Sequence, residues 1–379
     1  MPYEQLIETS SPMAHTEGPG SALAGIFYTG GTMGYPKGVM LSQDNMLWHA
    51  AGARSEGLGR PEDVYLHVAP MFHVTGFAVA MFYWHEGSRH VVVPQFRPPE
   101  IAALIKRESA TDVVLVPTMI QMLLNDPAVD RDDLSSLRRI LYGGSPITEA
   151  VIDRVFEVLP HVEMFQAYGM TETAGSVSIL RPQHHRRSLH PGKLRSAGQP
   201  LWTALIRILD ADGAAVPRGQ VGEITVRSPN VMMGYWGRER ETAAVLRDGW
   251  MNTGDAGYLD DDGFLYVVDR LKDMIVTGGE NVYSVEVENA LASHPAVAMT
   301  AVIGIPHEKW GESVHAFVVR KPERGVSAEE LIAHCRACIA DYKSPRSVSF
   351  MDALPLSAAG KVLKNKLREP YWAGRDRKI

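Results

Sequence analysis

Near its start the chain reads Tyr28-Thr-Gly-Gly-Thr-Met-Gly-Tyr-Pro-Lys-Gly-Val-Met-Leu41, a glycine-rich stretch with a lysine, set between apolar runs. Gly30, Gly31 and Gly34 let a backbone turn tightly and aim its N–H groups at an anion. Thr29 and Thr32 add hydroxyl donors, and Lys37 adds a mobile positive charge. That inventory is phosphate chemistry; the alternative is a glycine-rich turn carrying a solvated lysine. It is not the usual P-loop, because Pro36 stands where that motif needs the glycine before its lysine, and Gly38 where it needs Ser or Thr.

Further blocks follow in order: Pro70-Met-Phe-His-Val-Thr-Gly76, Tyr142-Gly-Gly-Ser-Pro146, Tyr168-Gly-Met-Thr-Glu-Thr173, Asn252-Thr-Gly-Asp255, Asp269-Arg-Leu-Lys-Asp-Met-Ile-Val-Thr-Gly-Gly-Glu-Asn281 and Pro355-Leu-Ser-Ala-Ala-Gly-Lys361. From about Leu23 to Arg368 this series resembles the adenylate-forming superfamily of acyl-CoA synthetases, adenylation domains and luciferases. Its form is most similar to the fatty-acid and aryl acyl-CoA ligase branch.

The resemblance implies a reaction in two halves. A carboxylate attacks the α-phosphorus of ATP and expels pyrophosphate, and the thiol of CoA then attacks the acyl carbonyl and expels AMP. Two anions meet in the first half, so positive charge and donors must face the developing charge. The loop from Thr29 to Lys37 would hold the β- and γ-phosphates, Thr171 would donate to the α-phosphate, and Glu172 would hold Mg²⁺, a hard cation suited to a carboxylate. Adenine would lie against Tyr168, in the strand end Ala167, Tyr168, Gly169 and Met170, with Gly143, Gly144 and Ser145 opposite. Asp255 would accept from both ribose hydroxyls, and Arg270 would complete the ribose and phosphate contacts. Lys361, on an exposed loop, would reach into the cleft and bridge the two reacting anions.

Lys272 sits at the hinge position. Rotation there would withdraw Lys361 and bring up a face around Gly278, Gly279 and Asn281 that borders the pantetheine arm of CoA. His73 would stand at the mouth of an acyl pocket lined by Val74, Thr75, Met170 and Gly175; its structural alternative is a core or helix-capping histidine. Met33 replaces a common Thr, and losing one hydrogen bond to a charged group weakens ATP use by about ten- to a hundredfold without abolishing it.

Beneath these residues the sequence predicts βαβ units. From Ile26 to about Leu180, apolar strands at Val64–Ala69, His90–Pro94, Asp112–Val116 and Arg139–Tyr142 alternate with helices at Gln43–Ala53, Pro99–Arg107, Thr118–Asn125 and Thr148–Val158. That alternation implies a largely parallel sheet. Arg181 to Arg195 reads as a solvated loop, including the basic run His184-His-Arg-Arg187. From Ala204 to Val268 short strands are joined by turns at Asp210–Gly213 and Asp260–Gly263, the latter a hairpin rather than a calcium loop. A small α+β unit follows Lys272, with a helix from Ala328 to Ala340 that carries Cys335 and Cys338 one turn apart as small apolar residues. The expected fold is α/β: a large adenylate-forming-type domain over residues 1–270, truncated at its amino end, with a β-barrel part over about 196–268, then a mobile C-terminal lid domain over 271–379.

A chain of 379 residues with 45% hydrophobic and 22% charged residues suits a globular protein of more than one domain. A net charge of −6 without a basic run argues against nucleic acid. No signal sequence and no apolar run near the ~20 residues of a membrane span is present, so a cytoplasmic protein is expected. Members of the superfamily carry a longer segment before the glycine-rich loop than this chain does. Its absence is expected to leave apolar surface bare, for a partner or a second copy to cover. The reading is therefore a carboxylate–CoA ligase of fatty-acid metabolism using ATP, Mg²⁺ and CoA. The alternatives are an adenylation enzyme loading a carrier protein, and a truncated homologue that binds nucleotide or acyl-adenylate without turnover.

Overall fold

The computed structural model describes residues 3–12, 18–29, 36–145, 147–186, 190–321, 324–357 and 360–374. Gly30, Gly31, Thr32 and Gly34 of the expected phosphate loop lie outside these residues.

A seven-stranded sheet forms the middle of the large domain. In spatial order it runs Arg89–Val92, Val64–His67, Asp112–Leu115, Arg139–Gly143, Glu163–Met170, Gly175–Leu180 and Gln199–Pro200. The first five strands are parallel, and the last two are antiparallel to their neighbours. Asp112–Leu115 is buried along its whole length, as is Arg139–Tyr142, which is why these segments read as unbroken apolar runs and not as an alternation. The helices Pro98–Glu108, Pro117–Asn125 and Glu149–Val158 bury one apolar stripe each, through Ile101 and Ile105, Ile120 and Leu123, and Ile152 and Val155. Expected boundaries for these elements fall within two residues of those observed.

Charge marks the amino ends of these strands. Arg139 Nε meets Asp112 Oδ1 at 2.6 Å, another guanidinium nitrogen pairs with Asp63, and the Tyr83 hydroxyl donates to Asp112 at 2.8 Å. All four side chains are buried. The carboxyl ends point the other way, toward the turns that carry His73, Thr118 and Gly144. In open parallel sheets that is the end where ligands bind.

Leu23–Thr29 and Lys37–Ser42 pair antiparallel with each other and with Gly234–Tyr235 in a separate three-stranded sheet. One expectation fails: the stretch after Arg181 is not a solvated loop throughout. Pro182–His185 forms a 3₁₀ turn whose His184 and His185 are buried. The His185 ring spans from the Tyr142 hydroxyl at 2.9 Å to the Arg181 carbonyl at 3.1 Å. Arg187 lies outside the described residues.

A five-stranded antiparallel sheet follows, built from Leu205–Leu209, Gly222–Arg227, Leu246–Arg247, Trp250–Leu259 and Leu265–Arg270. Its Asp260–Gly263 turn is a hairpin: Asp260 Oδ1 accepts the Phe264 N–H at 2.8 Å, and Lys193 holds both Asp260 and Asp262 at 2.6 Å. The small C-terminal domain has its own five-stranded sheet, centred on Val297–His307 and Gly311–Arg320, with helices Ser284–Ala292, Ala328–Cys338 and Lys364–Trp372. Cys335 is buried and Cys338 exposed, and both are free thiols.

Apolar surface is bare in the large domain. Trp48 and Trp202 are 40% and 62% exposed and meet edge to face at 5.9 Å, with Leu47 and Leu205 also exposed. Among the described residues no helix is long and apolar enough to cross a membrane.

Candidate active site

Three sheets and the small domain converge on one cleft. The strand Glu163–Met170 ends in the 3₁₀ turn Thr171–Thr173, whose exit residue Ala174 is left-handed at φ +50°. Tyr168 therefore faces the antiparallel sheet, where its hydroxyl donates to Asp255 Oδ2 at 2.9 Å. Arg270 lies across from Asp255 in the strand ladder and places its Nε 3.4 Å from Asp255 Oδ1. Burial raises the Asp255 carboxyl above the usual range, against the opposing pull of Arg270 and Tyr168. The Tyr168 phenol is raised by burial and by Asp255.

Glu172 is held from two sides. Its backbone carbonyl accepts the Met232 N–H at 2.8 Å, and its Oε1 accepts the Tyr235 hydroxyl at 2.9 Å. The Tyr235 ring in turn carries the Lys37 ammonium 4.6 Å above its centroid. Tyr235 thus links Lys37 to the candidate metal ligand. Among the described residues no group of three or more His, Cys, Asp or Glu is gathered. A lone carboxylate with one oxygen already engaged suits Mg²⁺ that takes its remaining ligands from substrate phosphates and water.

Lys361 arrives from the small domain. Leu356 and Val362 form an antiparallel bridge, and inside it Ser357 accepts the Lys361 N–H at 3.1 Å and donates its own N–H to the Lys361 carbonyl at 2.8 Å. Thr118 fastens this turn to the large domain, donating to the Gly360 carbonyl at 3.2 Å. The lysine then extends over Gly144. That residue sits at φ +78°, and a Cβ on it would stand 2.8 Å from Lys361 Cε; no side chain fits there while the lysine is docked. Burial and the neighbouring Arg270 lower the Lys361 ammonium, while Asp255 and Glu172 oppose that shift.

His73 caps the helix Val74–His85 through Nδ1, which accepts the Thr75 N–H at 3.2 Å. Burial, then the charge of Lys361, hold it below the usual histidine value. An accepting Nδ1 puts the proton of the neutral ring on Nε2. The capping and site readings of His73 are both consistent with this position.

Of the other expected residues, Thr29 and Lys37 face each other across their hairpin. Thr171 opens the 3₁₀ turn and accepts the Ala174 N–H at 3.0 Å. Gly143 and Gly169 lie so close to the Ala167 and Gly175 carbonyls that a Cβ on either would clash. Ser145 is half-buried beyond Gly144, and Met170 ends its strand. Lys272 acts electrostatically on Asp255. Gly278, Gly279 and Asn281 are exposed on another hairpin of the small domain, where Gly278 donates to the Trp310 carbonyl at 2.9 Å. Among the described residues no hydrogen bond or ion pair joins them to the Lys361 cluster.

Sequence reasoning missed Tyr235, Asn230 and Glu223. Buried Asn230 donates to the Thr173 carbonyl at 2.7 Å and so braces the turn that presents Glu172. Glu223 lines a cleft of about 430 Å³ beside Glu172 and Tyr235.

The sequence profile of the AMP-binding enzyme family matches residues 2–236, and that of the AMP-binding enzyme C-terminal domain matches residues 286–361. The chain is 38% identical over 376 residues to the fatty acid–[acyl-carrier-protein] ligase ScoC of Streptomyces coeruleorubidus, covering 98% of this chain and 71% of that one. It is 40% identical over 347 residues to the feruloyl-CoA synthase of an Amycolatopsis species, covering 91% and 69%. Among solved structures, the o-succinylbenzoate coenzyme A synthetase MenE of Bacillus subtilis in complex with ATP and magnesium ion superposes with a TM-score of 0.83 at 36% identity, covering 96% and 74%. The chain belongs to the AMP-binding enzyme family, as an adenylate-forming acid–thiol ligase with a large amino-terminal and a small carboxy-terminal domain.

Proposed function

We propose that the chain activates a fatty or related carboxylic acid with ATP and passes the acyl group to the thiol of CoA. The observation that carries this is Lys361, docked over Gly144 with Asp255, Arg270 and Glu172 acting on it. In the first step a carboxylate oxygen bonds the α-phosphorus and the bond to pyrophosphate breaks. Lys361 bridges the two anions as charge moves between them. Tyr168 stacks on the adenine, Asp255 accepts from the ribose hydroxyls, and Arg270 reaches ribose and phosphate. Thr171 donates to the α-phosphate, and the loop through Lys37 holds the outer phosphates. Glu172 would hold Mg²⁺, which when bound neutralises phosphate charge.

In the second step the thiol sulfur bonds the acyl carbonyl carbon and AMP leaves. His73 lines this route at the mouth of the acyl pocket, and Gly278, Gly279 and Asn281 border the pantetheine arm after rotation at Lys272. Small or flexible side chains at Val74, Thr75, Met170 and Gly175 are compatible with an aliphatic chain. The likeness to ScoC favours a second reading of the acceptor, the phosphopantetheine arm of a carrier protein.

The test is pyrophosphate release from ATP over acids of increasing chain length and over aryl acids, with CoA or a loaded carrier protein as acceptor. Release with no acid in either series would sink the ligase reading. Release that only the carrier protein accelerates would move the acceptor to the second reading.

A further inference from the structure

The carboxylate of Asp255 stands on an irregular piece of strand. Where Trp250–Leu259 pairs with Gly222–Arg227, Asn252 lies opposite Thr225 and Ala256 opposite Glu223. Thr253, Gly254 and Asp255 together therefore face Ile224 alone. Such a bulge re-aims a side chain, and it also leaves ladder N–H and C=O groups without their strand partners.

Local side chains take those groups up. Thr253 Oγ1 donates to the Ile224 carbonyl at 2.7 Å and accepts the Asp255 N–H at 3.1 Å. The Gly254 carbonyl accepts the Leu271 N–H at 2.9 Å. Gly254 itself is left-handed at φ +71°. One residue fastens both limbs of the bulge: Glu223 accepts Asn252 Nδ2 at 2.7 Å through one carboxylate oxygen and the Gly254 N–H at 3.2 Å through the other. Hydrogen bonds to an ionised acceptor are stronger than neutral ones. Among the described residues these are the only hydrogen bonds of the Glu223 side chain. It lines the open cleft with Asn252, Thr253 and Gly254, so its removal vacates solvent-facing space and opens no hole in a core.

We infer that Glu223 is a positioning residue for nucleotide recognition, fixing the bulge that aims Asp255 at the ribose. The inference rests on the reading of Asp255 as the ribose acceptor. Glu223 need not touch the nucleotide; it acts by keeping Asp255 at the angle that engages both Tyr168 and the sugar.

The test is equilibrium binding of ATP and of 3′-deoxy-ATP to the full chain, in wild type, Glu223→Ala, Glu223→Gln, Asp255→Ala and the double variant Glu223→Ala/Asp255→Ala. Wild type should prefer ATP by about ten- to a hundredfold, the size of one hydrogen bond to a charged group. Asp255→Ala should bring that ratio close to one, and Glu223→Ala most of the way there. The double variant should be no worse than Asp255→Ala alone. Glu223→Gln keeps one acceptor and should fall between wild type and Glu223→Ala, which also serves if the alanine variant fails to fold. A Glu223→Ala that weakens both nucleotides equally and leaves the ratio intact would overturn the inference, as would additive losses in the double variant. An unchanged ratio in Asp255→Ala would instead overturn the ribose assignment, and the inference with it.

Discussion

Lys361 enters the cleft with part of its hydration removed, and Asp255 and Glu172 only partly compensate. Two outcomes follow at this residue. Lys361→Ala should lower acid-dependent pyrophosphate release by about 10²–10³-fold, the usual size of losing one group aimed at transition-state charge. Thioester formation from a supplied acyl-adenylate should change little, and equal loss in both assays would contradict the assigned role. The second outcome concerns pH. Because the folded-state value of Lys361 is depressed, its cationic form is lost as pH rises through a value below that of a solvated lysine. The alkaline limb of kcat/KM for ATP in pyrophosphate release should therefore lie below the ordinary lysine range, and Lys361→Arg should remove that limb while lowering the maximum. Docking of the lysine turn has the opposite sign. Between the two values the undocked state binds more protons, so docking strengthens as pH rises. Neutral His73 beside it contributes no competing charge near pH 7.

At the scale of elements, the two ends of the parallel strands do different work. The carboxyl ends release His73, Thr118, Gly144 and Tyr168 toward the cleft, while the amino ends are closed by Arg139, Asp112, Asp63 and Tyr83. Arg139→Ala strands two buried carboxylates, and breaking such a pair costs about 3–5 kcal/mol. Denaturant unfolding should show that loss, and a change under about 1 kcal/mol would mean the cluster is solvated in solution. These strands were legible in the sequence because burial on both faces leaves an unbroken apolar run, and the turn motifs at their ends were legible by type and spacing. The braces were not. Tyr235 is 63 positions from Glu172 and His185 is 43 from Tyr142, so nothing local distinguishes them from ordinary polar residues. The bulge at Thr253–Asp255 was hidden for a related reason: it exists only relative to the register of a neighbouring strand. The pairing of the two apolar strands that flank the glycine-rich stretch was not legible, because they carry no mark of the partner they choose.

For the whole molecule, the small domain meets the large one on both sides of Lys272 and at the lysine turn. Asp269 accepts the Ser284 N–H, and Thr118 donates to the Gly360 carbonyl at 3.2 Å. Within the small domain, Lys364 pairs with Glu288 at 2.8 Å, and Arg368 pairs with Asp273, next to Lys272, at 2.7 Å. These contacts brace the segment around Lys272 about which rotation is proposed. Lys272→Pro, by fixing φ there, should leave pyrophosphate release within a few-fold of wild type but slow thioester formation by at least about tenfold. Measuring the two half-reactions separately checks this; equal slowing of both would count against rotation at that residue.

The turn fastened by Thr118 has one more consequence. With Lys361 lying across Gly144, the segment proposed to face the adenine, nucleotide loading is expected to require the lysine turn to lift first, like a cork. Observed association should then level off at high ATP, at the rate of lifting. Once inside, the polyphosphate adds counter-charge to that of Asp255 and Glu172, making cargo itself the reason the cork reseats.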